Sequence, residues 1–395
     1  MRDVFIIGAG MTRFGLYNGK RLPVKSTHQL GKEAVLAALK YAGINHRKIE
    51  AAFCGNVANP PNCGQMILSA CGITGLPTFN HENACASGSS ALRHGYEAIA
   101  NGVCDTAIVI GAECWSFAMS SAGGAAALAG LASPPPGTNM NQDIAGAFGP
   151  AILAMVGTAH MHQYGTTREQ FAKIAVKNKR NAAMNPYAQF QKEVTIEEVL
   201  NSRMISDPLT KLSCCPQTDG AAAVVLCTAE VARQYTTKPV KLAAITQLSA
   251  PYKGLGGTLT GLLCFEKAAK QAYEIAGVGP KDLDAVEVHD DFTPIELVAY
   301  EDIGLCPRGE GGRFVDEGRA DYGGDVVVSP SGGLLGKGHP MGATGVAQIV
   351  ELTWQLRGEC GKRQVQGAKV GLAHNGGGIG DGFEPGATTI TIVKM

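Results

Sequence analysis

The sequence predicts an α/β protein made of two similar halves, with an insertion of helices and loops in the first half. Three observations predict this class. Short apolar strands alternate with helices, the same order of elements returns in the second part of the chain, and the stretch between has little strand pattern. We predict residues 1–118 as the first part of the N-terminal half, 119–210 as the insertion, 211–235 as a return strand, and 236–395 as the C-terminal half.

The first half opens with apolar strands separated by a helix. Its predicted elements are a strand at 4–8, a helix at 30–41, a strand at 51–55, a small-residue helix at 84–100 and a strand at 107–110. Strands that alternate with helices favour a mostly parallel sheet covered on both faces. The insertion contributes a helix at 168–183, and a continuous apolar strand at 220–227 returns the chain to the sheet.

The second half repeats this order. Its predicted elements are strands at 240–245, 285–289, 370–373 and 388–393, and helices at 264–276, 294–303 and 342–356. The helices that begin near residues 84 and 342 are rich in Gly, Ala and Ser and apolar on every face. Such helices are usually buried between other layers.

Composition excludes several classes of function. The 395 residues are 45% hydrophobic and 17% charged, which suits a large core and argues against disorder. Net charge is zero, so we expect no nucleic-acid partner. The twelve cysteines are scattered through apolar stretches without a Cys-x-x-Cys pair, which predicts a cytoplasmic protein with reduced thiols and no zinc site. We see no secretory leader and no transmembrane run.

Two segments place a reactive residue where a small-residue helix begins. Cys85 stands in Asn-Ala-Cys-Ala-Ser-Gly, where exposed helix N–H groups would lower the pKa of its thiol and could hold an oxyanion. The alternative is a structural cysteine. His339 stands in a glycine-dense loop, Gly-Lys-Gly-His-Pro-Met-Gly-Ala-Thr-Gly, and an imidazole near a thiol can take its proton. The alternative is a turn histidine.

Two more segments follow predicted strands. Residues 287–293 run Glu-Val-His-Asp-Asp-Phe-Thr, with His289, Asp290 and Asp291 at a strand end where α/β sheets bind ligands. The alternative for the aspartates is helix capping. Residues 373–380 run Ala-His-Asn-Gly-Gly-Gly-Ile-Gly, and this glycine loop can offer N–H groups to an anion.

Together these segments resemble the thiolase superfamily over nearly the whole chain, closest to sterol-carrier-protein-type thiolases and their bacterial and archaeal acetyl-CoA acetyltransferase-like relatives. The resemblance implies a thiolase fold of two βαβαβαββ halves in αβαβα layers. It also implies acyl transfer with coenzyme A as co-substrate, a homodimer or higher oligomer, and a possible zinc-ribbon/OB-fold accessory subunit. No metal or redox cofactor is expected in this chain.

The resemblance also implies residue roles. Cys85 would carry the acyl group, His339 would activate it, and His289 would help to bind the thioester oxygen. Backbone N–H groups at Cys85 and near Gly376 would form a second oxyanion hole. Lys177, Lys179 and Arg180 in the insertion are candidates for binding coenzyme A, with a solvated helix face as the alternative.

One departure from the family pattern concerns proton transfer at the substrate's alpha carbon. Thiolases use a second cysteine there, and this chain has Asp291 and His374 at the two positions where families place it. His374 is ordinary in the sterol-carrier type, so Asp291 is the real substitution. Either Asp291 takes over the proton transfer, or the chemistry differs from ordinary thiolysis, and His374 or a bound water is the next candidate if Asp291 is structural. The first hypothesis is a 3-oxoacyl-CoA thiolase for a bulky, aromatic or dicarboxylic acyl-CoA, of which benzoylsuccinyl-CoA thiolase is one type. The alternatives are a condensing acyltransferase with a Cys-His-His set, a thiolase-like carbon–carbon lyase, and a scaffold subunit.

Overall fold

The computed structural model describes residues 1–118, 148–250, 259–380 and 384–395. The strands are β1 (Val4–Met11), β2 (Ala51–Gly55), β3 (Thr78–His81), β4 (Thr106–Glu113), β5 (Met204–Ser206), β6 (Leu209–Thr210), β7 (Gly220–Thr228), β8 (Val240–Leu248), β9 (Ala285–Glu287), β10 (Val327–Val328), β11 (Val370–Gly377) and β12 (Ala387–Lys394). None of the helices in these described ranges is long and apolar enough to cross a membrane.

Helices separate most of these strands. They are α1 (Thr27–Ala42), α2 (Cys63–Ala70), α3 (Ser87–Ala100), α4 (Trp115–Ala118), α5 (Phe148–Tyr164), α6 (Arg168–Ala183), α7 (Ile196–Leu200), α8 (Ala229–Tyr235), α9 (Leu263–Ala276), α10 (Thr293–Asp302), α11 (Gly311–Asp316), α12 (Gly333–Gly336) and α13 (Met341–Arg357). The predicted insertion, as far as the structure describes it, contains α5, α6, α7 and the small β5–β6 ribbon. Its part at 119–147 lies outside the described residues.

The repeat predicted from the sequence is confirmed by the order of the strands. Ten strands form one sheet in the order β10-β9-β11-β12-β8-β1-β7-β4-β2-β3. The first half contributes β1, β7, β4, β2 and β3, and the second contributes β8, β12, β11, β9 and β10, each in order from the centre of the sheet to its edge. If the strands are numbered within each half along the chain, both halves have the order first, fifth, fourth, second, third. The pairing directions also agree, because the outer two pairs of each half are parallel and the inner two are antiparallel. The sheet is therefore mixed, and the prediction of a mostly parallel sheet was wrong because the return strands β7 and β12 enter antiparallel.

The two small-residue helices form the middle layer. Helices α3 and α13 pack against each other and against strands of both halves, while α1 covers the outer side of the first half and α9 that of the second. Residue Gly88 of α3 packs so closely that a Cβ on it would lie 2.6 Å from the Gly342 carbonyl of α13. This layering brings the two helix N-termini, with Cys85 and His339 just before them, to the same place.

Candidate active site

Cys85 lies in a sharp loop between β3 and α3. Ala84, just before it, has a φ of 48°, a left-handed conformation that residues with a Cβ rarely adopt. Gly377 at the end of β11 packs on the loop, and a Cβ there would lie 2.1 Å from the Asn83 carbonyl oxygen. The helix begins two residues after Cys85, not at Ala84 as predicted. The cysteine therefore stands ahead of the helix and keeps partial solvent exposure.

His339 faces the sulfur of Cys85. Its Nε2 lies 3.2 Å from Sγ, and its Nδ1 lies 2.9 Å from the Thr344 hydroxyl. That hydroxyl donates to the Pro340 carbonyl at 3.1 Å, so it accepts the proton of Nδ1–H. The lone pair of Nε2 is then directed at the thiol. The backbone N–H of His339 donates to Thr218 Oγ1 at 3.0 Å, which fixes the loop.

His289 completes a compact set. One side-chain atom from each of Cys85, His289 and His339 lies within 4.8 Å of the other two, and the two imidazole rings meet edge to face with centroids 5.2 Å apart. The Asn375 Nδ2 lies 3.0 Å from His289 Nδ1, and the backbone N–H of His289 donates to His374 Nδ1 at 3.1 Å. His289 is thus held through both its ring and its backbone.

The protonation of the resting site is opposite to what the sequence predicted. Burial first, and then the charges of Asp291 and Glu113, raise the pKa of the Cys85 thiol, although the backbone N–H groups of Cys85 and Gly378 act to lower it. Burial, with the neighbouring His289, holds the pKa of His339 well below its usual value. The prediction of a lowered thiol pKa was wrong, because desolvation outweighs the helix end. The resting pair is a neutral thiol and a neutral imidazole.

Asp291 is the carboxyl group beside this set. Its Oδ2 lies 3.8 Å from His289 Nε2, and its Oδ1 accepts the Phe292 N–H at 3.0 Å. Burial, followed by the charge of Asp290, raises the pKa of Asp291 to about 8. Helix α10 has Phe292 at its N-cap and no side-chain cap. The alternative of α10 capping by Asp291 is therefore wrong, and the carboxyl group retains a proton at neutral pH.

Asp290 has a structural role next door. It is fully buried, and its two oxygens accept the N–H groups of Leu334 and Leu335 at 2.7 and 3.1 Å, which caps the short helix α12. Asn178 of α6 donates to the same carboxylate at 2.7 Å. The capping alternative therefore holds for one of the two aspartates, but it concerns a different helix from the one expected.

Two predicted site residues lie away from the reacting groups. His374 is completely buried with its ring stacked on Phe265 at 3.7 Å, and it reaches the site only through the backbone of His289. It therefore faces the core and not the substrate. Gly376 is paired with Thr388 inside the sheet, and the N–H near the sulfur comes from Gly378, two residues further along.

The three cations proposed for coenzyme A are already engaged. Lys177 is buried, with Nζ 2.8 Å from Glu296 and 2.7 Å from the Val328 carbonyl. Lys179 is buried against the Phe190 ring and donates to the Leu335 carbonyl at 2.5 Å. Arg180 pairs with Asp321 near the surface. Lys177 and Lys179 thus hold the loop that leads to His339, and the prediction that they bind coenzyme A was wrong because they point inward.

The sequence analysis missed the residues that support the set. Thr218, Thr344, Asn375 and Glu113 are buried and bond the catalytic candidates or the helix that carries them. Thr344 could have been noticed, since it follows His339 by five residues within one motif. Asn375 could also have been noticed, since it follows His374 in the 373–380 motif. Thr218 and Glu113 lie in other segments of the chain, and no local pattern points to them.

The chain matches known families over most of its length. Residues 4–230 match the model described as "Thiolase, N-terminal domain", and residues 256–384 match "Thiolase C-terminal domain-like". The acetyl-CoA acetyltransferase of Methanothermobacter thermautotrophicus is 41% identical, over 96% of this chain and 97% of that protein. Sterol carrier protein 2 of Oryctolagus cuniculus is 40% identical, over 99% of this chain and 72% of that protein. Benzoylsuccinyl-CoA thiolase subunit BbsB of Thauera aromatica is 39% identical, over 95% of both.

A solved structure extends the comparison to a complex. The structure titled "Ltp2-ChsH2(DUF35) aldolase" superposes with a TM-score of 0.81 and 28% identity, over 99% of this chain and 97% of that one. These findings confirm the resemblance and the fold class that the motifs predicted.

Proposed function

This chain belongs to the thiolase family, and from that premise we propose how its own residues carry out the reaction, with Cys85 as the nucleophile, His339 as its base and Asp291 as the acid. The chain is a thiolase-type acyl-CoA C-acyltransferase, and coenzyme A is the co-substrate of this family. The single observation that carries the residue assignment is the 3.2 Å approach of His339 Nε2 to Cys85 Sγ beside His289.

In the cleavage direction, the Cys85 sulfur attacks the ketone carbon of a 3-oxoacyl-CoA while its proton passes to His339 Nε2. With the raised thiol pKa and the lowered imidazole pKa, this transfer is unfavourable in the empty site. It becomes favourable when the negative charge moves on to the substrate oxygen, to which the N–H groups of Cys85 and Gly378 can donate hydrogen bonds. The enzyme therefore forms its nucleophile only with the substrate in place.

The carbon–carbon bond then breaks, and its electron pair leaves on an enolate of the shorter acyl-CoA. His289 donates to the enolate oxygen, and Asp291 delivers its proton to the alpha carbon. The carboxylate that results takes the proton of coenzyme A, whose sulfur accepts the acyl group from Cys85. His339 returns its proton to Cys85, which restores the starting state. The pKa of about 8 supports this role, because an acid of that strength is protonated at neutral pH and can still be re-protonated.

Trapping the acyl-enzyme tests the assignment. Incubation with a radiolabelled acyl-CoA should label Cys85, and Cys85→Ala should lose both the label and more than about a thousandfold of the turnover. Cys71→Ala, which removes a half-exposed thiol at the end of α2, is the matched control and should behave like the wild type. Label on another cysteine, or turnover by Cys85→Ala, would overturn the nucleophile assignment.

The substrate class is also part of the proposal. The relative named as a benzoylsuccinyl-CoA thiolase subunit supports an aromatic or dicarboxylic 3-oxoacyl-CoA. A panel of 3-oxoacyl-CoA compounds of increasing bulk tests it, and a preference for acetoacetyl-CoA alone would contradict it.

A lyase is the second candidate, and one observation favours it. The similar solved complex is an aldolase, and this chain carries Asp291 where the family's second cysteine would stand. Retro-aldol cleavage needs no acyl-cysteine, so Cys85→Ala would retain it. A condensing acyltransferase would need Cys85 in the same way as a thiolase and would differ in direction, which the same assays measure. A scaffold subunit would accept no label at all.

We further propose a homodimer and an accessory subunit. Among the strands that the structure describes, β3 lies at one edge of the sheet, and Phe79 on it is 52% exposed. Helix α2 packs on β3 and exposes Met66 at 49%. An apolar open edge supports pairing with a second copy. The DUF35 chain in the similar complex supports a partner for this one. The molecular mass of the purified chain in solution tests the homodimer, and the mass in the presence of the product of a neighbouring gene tests the accessory subunit. We also propose a cytoplasmic location, which cell fractionation tests.

A further inference from the structure

Two consecutive residues of β11 hold His289 from opposite sides. His374 accepts the backbone N–H of His289, and Asn375 meets its ring at Nδ1. Neighbouring residues of a strand point to opposite faces, so His374 packs on Phe265 in one core while Asn375 reaches the helix layer. There, Asn375 Oδ1 lies 2.9 Å from the Ser89 hydroxyl of α3.

The direction of these hydrogen bonds decides where the proton of His289 lies. The structure places Asn375 Oδ1 against the Ser89 hydroxyl and Nδ2 against the imidazole. The hydroxyl also lies 3.0 Å from the Ala86 carbonyl, but a hydrogen bond between two oxygens 2.9 Å apart needs a proton that the amide oxygen lacks, so the single proton of Ser89 goes to Oδ1. An amide nitrogen can only donate, so Nδ1 of His289 must be the acceptor. A neutral imidazole has a single proton, and that proton then lies on Nε2. Burial lowers the pKa of His289 to about 3, so the ring is neutral.

We propose that Asn375, oriented by Ser89, is a positioning residue that holds His289 as the Nε2–H tautomer, so that this ring donates to the substrate oxygen. This inference rests on the proposed function, in which His289 is an oxyanion donor.

The two histidines of the site make the need for such a device clear. Both are buried and neutral, and both direct Nε2 towards the reacting groups, yet one must accept a proton and the other must donate one. Thr344 accepts from Nδ1 of His339 and leaves a lone pair on its Nε2. Asn375 donates to Nδ1 of His289 and leaves a proton on its Nε2. Opposite partners at Nδ1 therefore set opposite functions at Nε2.

Nitrogen-15 NMR of enzyme labelled at histidine tests the proposal directly. The two-bond couplings of the ring protons report which nitrogen of a neutral imidazole carries the proton, and His289→Gln identifies the signal. We expect Nε2–H for His289 and Nδ1–H for His339 in the wild type. A protonated Nδ1 in His289 would overturn the proposal, whatever the behaviour of any variant.

Kinetics of Asn375→Leu give the second test. We expect kcat to fall about 10- to 100-fold, below the 10²- to 10³-fold typical of losing an oxyanion donor altogether, with KM changed by less than about twofold. In a His289→Ala background the same substitution should add little, because Asn375 acts through the ring. An equal loss in both backgrounds would show a general structural effect and overturn the proposal. An unchanged rate in His289→Ala alone would instead refute the oxyanion role in the proposed function.

Thr389→Val is the matched control. Thr389 donates to the backbone carbonyl of Asn375 at 3.2 Å on the neighbouring strand and does not touch the amide. It should leave both the His289 tautomer and kcat near the wild type. If Asn375→Leu does not fold, Ser89→Ala replaces it, since loss of the hydroxyl should let the amide turn and mix the two tautomers.

Discussion

The two halves of the sheet have the same strand order but carry different chemical groups. The third strand of each half leads to the N-terminus of a central helix, and the residue there is Cys85 in the first half and His339 in the second. The second strands differ more, since β2 ends at Gly55, whereas His289 and Asp291 follow β9. The first half thus supplies the sulfur, and the second supplies every candidate for moving or donating a proton. A duplicated fold provides two equivalent helix ends that face each other, and divergence of the halves turns that symmetry into a nucleophile and its acid–base partners.

Substitution of Asp291, a proton-transfer candidate of the second half, should have the largest effect on catalysis. In Asp291→Asn we expect acylation of Cys85 by a simple acyl-CoA to survive, while carbon–carbon cleavage and alpha-proton exchange fall about 100-fold or more. In the wild type, cleavage needs the protonated acid, so its rate should fall as pH rises through about 8, and condensation, which needs the carboxylate, should rise over the same range. Rates for both steps within a few-fold of wild type would leave Asp291 without a catalytic role.

The contact between the equivalent helices is the next point to perturb. A Cβ on Gly345 of α13 would lie 2.6 Å from the Ser89 nitrogen of α3. Gly345→Ala should therefore cost about 1–3 kcal/mol of the free energy of unfolding and also lower kcat, because the two helix ends move apart. Gly149→Ala, in a helix with open space around that glycine, is the control and should be neutral or slightly stabilising. Equal melting temperatures for the two variants would contradict the close contact.

The neutral resting pair gives a third test. Since desolvation, Asp291 and Glu113 raise the pKa of Cys85, its alkylation by iodoacetamide should be slow at pH 7 and rise about tenfold per pH unit up to pH 9 without a plateau. Asp291 is ionised only above about pH 8, so Asp291→Asn removes an opposing charge there and should speed the reaction at pH 9 but not at pH 7. Peptide mass spectrometry measures both rates, and a plateau below pH 8 would mean that His339 already holds the proton.

The smallest effect is expected in the insertion. Arg180 pairs with Asp321 at a partly exposed site, where an ion pair contributes about 0–1 kcal/mol. Arg180→Gln should change the KM for coenzyme A by less than about twofold and should leave kcat unchanged. A larger rise in the KM for coenzyme A would indicate that Arg180 does bind coenzyme A.

The sequence predicted regular elements well where the local pattern was strong, and poorly where the geometry depends on contacts between distant segments. The strand Ala51–Gly55 and the helix Arg168–Ala183 match their predictions, since each has a strong local pattern. The edge strand Thr78–His81 was missed because it is short and polar. The start of α3 was placed too early, since nothing in the local pattern reveals the left-handed turn at Ala84.

Site chemistry shows the same limit. The motifs around Cys85, His289 and His339 predicted which residues meet. They could not predict the sign of the thiol pKa shift, which depends on burial by both halves, or the partners at Nδ1 of the two histidines. The prediction that Lys177 and Lys179 bind coenzyme A failed for the same reason. A lysine that donates to a buried carbonyl and a lysine that faces solvent cannot be distinguished in the sequence.

The distance along the chain between the nucleophile and its base has a consequence for biosynthesis. Cys85 and His339 are 254 positions apart and meet only across the central helix pair. When only the first half of the chain has emerged from the ribosome, Cys85 is present without its base. The pair of Cys85 and His339 can form only after most of the polypeptide has emerged. Contacts of such long range are expected to form late in folding. Catalytic competence is thus a sensitive reporter of completed folding, more so than the secondary structure of either half.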